Sequence, residues 1–264
     1  RFMHPVIRGF HTELETVYEE KNMSLTNDFR KSLEAMDGIL FADHPYGTQT
    51  VLGTQEHLKN PSVTNIKNYH KTYYVPNNMA ICLSGDFDPD EMLSIIEKYF
   101  GQMEPNTELP EVDFETKTVI ESPVSKEVYG LDAENIMIGW KYPGAGTQEA
   151  LVADVVSYIL SNGSAGLIDL NLNQQQKVLG AQSMSYTRPD AGEFLIMANP
   201  KQGQTLDEVK DLVLAEIAKL RNGEFDEALL TGTLNNMKLR QMRMLESNSD
   251  RADMFVQSFI NGTD

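Results

Sequence analysis

The 264-residue chain contains a single cysteine, Cys82, so it cannot form an internal disulfide. Cys82 lies in the apolar run MAICL, where the expected role is that of a small buried hydrophobic side chain. Basic residues are also scarce: 22 Lys and Arg stand against 39 Asp and Glu, which gives a net charge of −17. A field of this sign repels phosphate backbones and anionic lipid surfaces, so we expect no nucleic-acid partner.

Long apolar runs are missing as well, and none approaches the roughly 20 residues that a membrane-spanning helix needs. With 41% hydrophobic and 23% charged residues, the composition is typical of a soluble globular protein. We therefore expect no membrane span, and the sequence does not choose between the cytoplasm and the periplasm. The length favours two medium-sized domains.

Histidines are few and scattered along the chain. The five histidines never occur with a glutamate at the spacing of the inverted zinc motif H-x-x-E-H. The nearest approach is at Glu56 and His57, where Gly53 occupies the position of the first histidine. The sequence therefore contains no complete two-histidine zinc motif.

The clearest local pattern is an apolar run followed by a capped helix, and it occurs twice. The run NMAICLSGDF precedes DPDEMLSIIEKYFG, in which Asp88 suits the N-cap and Pro89 the first helical position. The run GEFLIMANP precedes TLDEVKDLVLAEIAKLRNG, in which Thr205 and Glu208 form a capping box. This likeness of pattern indicates a duplicated strand, turn and helix unit.

Other segments complete the predicted organisation. The segment ENIMIGWKYP predicts a strand, and FDEALLTGTLNNMKLRQMRMLESNSDRADMFVQSF predicts one long, methionine-rich helix. The proline-rich and acidic segment QMEPNTELPEVDFETK has no regular pattern, which is typical of a linker. We predict a first domain over residues 1–101, a linker over 102–117 and a second domain over 118–264.

The acidic segment ELETVYEEKN near the start of the chain predicts a helix with two distinct sides. A helical wheel places Glu13 and Glu20, seven residues apart, within about 20° of each other at the edge of an apolar stripe. Phe10, Leu14 and Val17 form that stripe. The other glutamates of the segment point away from the apolar stripe, as is typical of a solvated helix face. Taken alone, this pattern also fits an ordinary amphipathic helix.

Several of these segments together resemble the pitrilysin (insulinase) family of zinc metallopeptidases. The resemblance is carried by FHTELETVYEEKN, HPYGTQTVLGTQEHL, NIKNYHKTYYVPNNMAICLSGDFDPDEMLSIIEKYFG and ENIMIGWKYPG. It implies an α/β (α+β) fold with two homologous domains, each a mainly antiparallel sheet with helices packed on one face. The alternation of strands and helices would by itself equally suit a parallel doubly wound sheet.

The resemblance also implies a site. In the family, H-x-x-E-H supplies two zinc ligands and the general base, and a later helix with the pattern E-x-x-x-V-x-x-E supplies the third ligand. Glu13, Val17 and Glu20 match this pattern, which implies Glu20 as the zinc ligand and Glu13 as a carboxylate that supports the site. The implied partners are peptide substrates, a segment upstream of Arg1 that carries H-x-x-E-H, and a second homologous half that closes a chamber.

Two functions stay open at this point. The chain is either part of a zinc-dependent endopeptidase or oligopeptidase, or a non-catalytic relative that acts as a scaffold or peptide-binding partner. In both cases we expect no catalytic residue in this chain and no zinc bound by it alone, because one carboxylate cannot replace three ligands. Zinc is expected only in the complete protein.

Overall fold

The computed structural model describes residues 2–3, 5–111, 114 and 116–263. In its first part the described residues form six α-helices and a short 3-10 turn at Pro76–Asn78: α1 (Phe10–Ser24), α2 (Asp28–Leu40), α3 (Pro45–Thr48), α4 (Gln55–Lys59), α5 (Val63–Tyr73) and α6 (Pro89–Phe100). The later part contains β1 (Ile136–Pro143), α7 (Gln148–Leu160), a π-helical turn (Asp169–Asn173), β2 (Gly180–Thr187), β3 (Ala191–Asn199), α8 (Leu206–Asn222), α9 (Glu227–Met244) and α10 (Asn248–Asn261).

The predicted helix caps are confirmed at the two repeated units. The Asp88 carboxylate accepts hydrogen bonds from the backbone N–H groups of Asp90 and Glu91, and Pro89 takes the first helical position. Thr205 and Glu208 form the reciprocal capping box at the start of α8. These caps satisfy N–H groups that have no partner within the helix, which is why the local sequence determines where each helix begins.

The prediction of one long C-terminal helix is wrong, because the chain forms two helices there. Helix α9 ends at Met244, and α10 begins at Asn248 with Ser247 as its N-cap. The Ser247 hydroxyl accepts a hydrogen bond from the backbone N–H of Asp250 at 3.3 Å. A serine cap competes with the helical backbone for this donor, so ESNSD ends one helix and starts the next.

The sheet is antiparallel throughout, with strand order β1-β3-β2. This confirms the mixed class of helices with an antiparallel sheet and excludes a parallel doubly wound sheet for these strands. One face of the sheet carries Ile138 and Ile196, which pair across β1 and β3. That face packs with α7 and α8 in the main hydrophobic core, where Val209 and Val213 of α8 are fully buried.

The opposite face of the sheet carries helix α2. The sulfur of Met36 lies so close to Gly139 of β1 that a Cβ there would collide with it. Leu40 and Phe41 form a second buried cluster with Ala191 of β3. Helix α2 therefore joins the first part of the chain to the sheet of the second part, and the division at residues 102–117 stays a prediction.

The strand predicted at NMAICLSGDF does not pair with any other strand in the part of the chain that the structure describes. Met79 has extended dihedral angles, φ −134° and ψ 146°. Ile81 and Leu83 are nevertheless 45% and 49% exposed. The predicted extended backbone is observed at Met79, but a strand also needs a hydrogen-bonded neighbour, which the described residues do not provide.

No helix within the described ranges is both long and apolar enough to cross a membrane.

The N-terminus of α2 is fastened to the loop before β1 by one carboxylate. Asp28 accepts hydrogen bonds from the backbone N–H groups of Leu131 at 2.5 Å and Asp132 at 2.7 Å, and from Lys31 Nζ at 2.6 Å. The Lys31 ammonium and these backbone donors hold the pKa of Asp28 below its usual value. Gly130 precedes these donors, and a Cβ at this position would overlap the Asp28 carboxylate.

We predict that Gly130→Ala destabilises the protein by about 1–3 kcal/mol, because the added methyl group displaces the Asp28 carboxylate. Thermal and denaturant unfolding measure this loss. Gly232→Ala in α9 is the matched control, since beyond the neighbouring backbone of its own helix no atom lies within 4 Å of the added Cβ. Alanine in a helix interior should leave stability unchanged or raise it by about 1 kcal/mol. Equal effects of the two variants would contradict the steric argument.

Candidate metal centre

Helix α1 presents one side to the protein and the other to solvent. On the protein side, Lys21 is 6% exposed and its Nζ lies 3.5 Å from Glu34 Oε1 of α2. Gln55 of α4 donates a hydrogen bond to Asn22 Oδ1 at 2.7 Å. Contacts with two other helices therefore set the rotation of α1 about its axis.

The structure places Glu13 and Glu20 on the exposed flank of α1. Both side chains are exposed, whereas Leu14 and Val17 beside them are half-buried. Glu15 and Glu19 are exposed as well, so the position of Glu13 and Glu20 at the edge of the stripe stays a prediction. Glu13 and Glu20 are about 10 Å apart along the helix axis, which is two helical turns. An exposed carboxylate on a helix held by its neighbours is available to a ligand.

The described residues contain no group of three or more His, Cys, Asp or Glu side chains that could hold a metal ion. Three of the histidines have other roles: His57 completes the cap of α4, His70 stacks on Tyr74, and His44 is 1% exposed beside Asp190. His4 lies outside the described residues. Glu20 has the oxygen-donor chemistry of a zinc ligand, but the described part of the chain supplies no complete set of zinc ligands.

Sequence reasoning missed a second charged group, which lies between α2 and the β2–β3 hairpin. The Nη2 atom of Arg188 is 3.0 Å from Asp37 Oδ1 and 3.2 Å from Glu193 Oε1. The guanidinium also stacks on the rings of Phe41 and Tyr46, at 4.7 and 4.2 Å from their centroids. The available signal was Glu193 itself, a charged residue at the start of the apolar run GEFLIMAN.

Burial raises the pKa of both carboxyl groups in this cluster. Glu193 is 1% exposed, and burial together with the neighbouring charge of Asp37 raises its pKa to about 7. Burial also raises the pKa of Asp37, although Arg188 opposes the shift. Both carboxyls are therefore easier to protonate than their exposed counterparts.

Comparison with known proteins identifies the wider group. The sequence profile described as "Peptidase M16 inactive domain" matches residues 62–237, about two thirds of the chain. The zinc protease PqqE of Helicobacter pylori is 25% identical over 234 residues, which cover 83% of this chain and 51% of that protein. The uncharacterized zinc protease YmxG of Bacillus subtilis is 23% identical over 249 residues, 90% of this chain and 57% of that protein.

Solved structures show the same fold. The crystal structure of a protease from Helicobacter pylori superposes with a TM-score of 0.85 at 22% identity, covering 97% of this chain and 64% of that one. The first half of the periplasmic protease PqqL from Escherichia coli gives a TM-score of 0.68 at 15% identity, covering 96% of this chain and 56% of that one. The chain spans about half the length of the zinc proteases PqqE and YmxG. It belongs to the M16 peptidase family, the pitrilysin (insulinase) family that its sequence resembles.

Proposed function

We propose that this chain is part of a zinc-dependent endopeptidase or oligopeptidase that hydrolyses peptide bonds inside a chamber. One observation carries the proposal: Glu20 and Glu13 stand exposed on the same flank of a helix in a chain of the M16 family. Relatives named as zinc proteases support the same activity.

Within this proposal, each residue of the chain has a limited part. Glu20 supplies an anionic oxygen donor at a fixed position on α1, and the contacts of Lys21 and Asn22 keep that flank of the helix turned outward. Glu13 lies two turns away and orients another ligand instead of sharing the ion directly. Zinc in the complete protein would polarise the peptide carbonyl and activate water. The two histidines and the general base come from an upstream segment.

The proposed partners follow from the same reasoning. Peptides are the substrates, and a second homologous half completes the chamber; the match to the first half of a longer protease supports such a pairing. Neither nucleic acid nor an anionic lipid surface is proposed as a partner, because the net charge of −17 repels both.

A second function has its own support. The matching profile is described as an inactive domain, and the described residues hold no three-ligand group. A non-catalytic scaffold or peptide-binding subunit is therefore the alternative.

The two functions differ in metal content and activity. We expect the 264-residue chain alone neither to retain stoichiometric zinc through dialysis nor to cleave peptides, because it lacks the two-histidine motif. The complete parent protein should retain zinc, hydrolyse peptides, lose activity to a chelator and recover it with zinc. Metal analysis and a fluorogenic peptide assay measure both. A complete protein without zinc and without hydrolysis would favour the scaffold, and stoichiometric zinc on the isolated chain would contradict the proposed ligand set.

A further inference from the structure

The charged cluster of Asp37, Arg188 and Glu193 joins two separate parts of the fold. Asp37 lies in α2, Arg188 in the turn between β2 and β3, and Glu193 in β3. Their side chains are 15%, 16% and 1% exposed, so solvent does little to screen their charges. The cluster lies beside the apolar contact of Leu40 and Phe41 with Ala191.

The charges of the cluster do not balance when every group is ionised. Two carboxylates share one guanidinium, and a single Arg188 nitrogen contacts both. Within the part of the chain that the structure describes, Glu193 Oε2 is buried and has no hydrogen-bond partner. A buried, uncompensated negative charge is costly, whereas a protonated carboxyl is neutral and can donate a hydrogen bond.

Other charged and titratable groups of the described residues lie near the cluster on each packed element, and none of them supplies the missing positive charge. On α2, Glu34 adds a further negative charge near Asp37. Lys141 of β1 lies opposite Glu193 in the sheet register, but its Nζ contacts Thr116 Oγ1 at 3.2 Å and the Thr118 carbonyl.

On the other side of the cluster, the hydroxyl of Tyr46 donates to Asp190 Oδ2 at 3.0 Å. His44 Nε2 lies 3.5 Å from the same oxygen. Tyr186 of β2 places its ring 5.4 Å from the Arg188 guanidinium carbon. These groups hold Arg188 and Asp190 in place, and Arg188 remains the only cation in contact with Asp37 and Glu193 among the described residues.

We propose that Asp37, Arg188 and Glu193 form a proton-dependent latch that fastens α2 to the β2–β3 hairpin. The latch is closed when Glu193 is protonated, since the cluster is then neutral and Oε2 can donate toward Asp37. It loosens when the proton leaves and two carboxylates compete for Arg188. The main hydrophobic core on the other face of the sheet, which includes Val209 and Val213 of α8, stays intact, so the junction opens locally while the core remains folded. The latch does not depend on zinc or on peptidase activity.

The direction of the pH effect follows from proton linkage. Glu193 has a pKa of about 7 in the closed junction, against an ordinary value of 4.5. The closed state therefore binds more protons than the open state between these two values, and raising the pH favours opening. Opening of the junction should increase about tenfold between pH 6 and pH 8, since pH 6 lies one unit below the pKa of about 7 in the closed state and each such unit corresponds to a factor of ten.

Hydrogen exchange with peptide-level mass spectrometry tests the latch in the wild-type protein. Protection of α2 and of residues 186–195 should fall between pH 6 and pH 8 after correction for the intrinsic pH dependence of exchange. Protection of α8, on the other face of the sheet, should stay constant and serves as the internal reference. Unchanged protection at the junction, or an equal loss in α8, would overturn the proposal.

Three variants separate the latch from a general effect of pH. Glu193→Gln keeps the shape of the protonated acid and should hold protection constant from pH 6 to pH 8. Asp37→Asn leaves one carboxylate for Arg188 and should also flatten the pH dependence. Glu121→Gln, at an exposed loop position, should behave like the wild type. A wild-type pH dependence in Glu193→Gln would exclude the latch, and if that variant fails to fold, Asp37→Asn and the wild-type profile decide.

Discussion

Glu20→Gln in the complete parent protein is expected to lower both bound zinc and peptide hydrolysis by more than about 100-fold, beyond what loss of an orienting partner costs. The substitution removes an anionic oxygen donor and leaves the size of the side chain unchanged. Folding should be unaffected, because Glu20 is exposed on α1. Metal analysis and initial hydrolysis rates, with circular dichroism as a check on folding, measure the effect.

Two matched variants on the same helix distinguish a zinc ligand from a supporting carboxylate and from an ordinary surface glutamate. Glu13→Gln should reduce metal affinity or activity by roughly 10- to 100-fold, because it weakens the orientation of another ligand and removes no ligand itself. Glu15→Gln, on the opposite side of α1, should change neither quantity, since a lone exposed carboxylate contributes little. Equal zinc content and equal rates for Glu20→Gln and Glu15→Gln would show that α1 is an ordinary acidic helix. This outcome would favour the scaffold function.

Asp169→Ala is expected to destabilise the 264-residue protein by about 1–3 kcal/mol, since the buried N–H of Gly166 is left without a partner. Asp169 is 5% exposed and lies in the π-helical turn. Its Oδ2 accepts hydrogen bonds from the backbone N–H groups of Asn162 at 2.7 Å, Gly163 at 2.8 Å and Gly166 at 3.2 Å. One carboxylate therefore organises the whole loop that follows α7, and its loss should be measurable by denaturant unfolding.

Two further variants test whether the bonds or the charge of Asp169 matter. Asp169→Asn keeps one acceptor oxygen and should lose less stability than Asp169→Ala. Asp207→Asn, whose side chain is 84% exposed beside Lys210, should change stability by less than about 1 kcal/mol, because surface ion pairs contribute little. A loss below about 1 kcal/mol for Asp169→Ala would show that water replaces the carboxylate in this loop.

The sequence alone was sufficient wherever the interaction that decides a structure spans only a few residues. Asp88, Thr205 and Glu208 act on N–H groups within three residues, so the starts of α6 and α8 could be predicted. Strand β3 was predicted for a related reason, because an apolar run of this length marks a strand buried on both faces. The position of Glu20 at the edge of an apolar stripe also depends only on helical geometry.

Strand pairing depended on partners far away in the chain. The run at residues 79–84 is as apolar as a strand should be, but the part of the chain described by the structure offers it no neighbouring strand. Strand β2 was missed for the opposite reason: its polar sequence GAQSMSYT gives a weak signal, and pairing with β3 makes it a strand. Hydrogen-bond partners distant in sequence leave little trace in local composition.

Composition and local pattern determined the acidic, helix-rich character of this protein, the starts of its best-capped helices and the two glutamates on one flank of α1. Only the tertiary structure decided that α2 covers the second face of the sheet, and that Asp37 meets Arg188 and Glu193 some 150 residues later. The reason is physical: caps and helical stripes come from neighbours along the chain, whereas burial raises the pKa of Glu193 only after distant segments have excluded water around it.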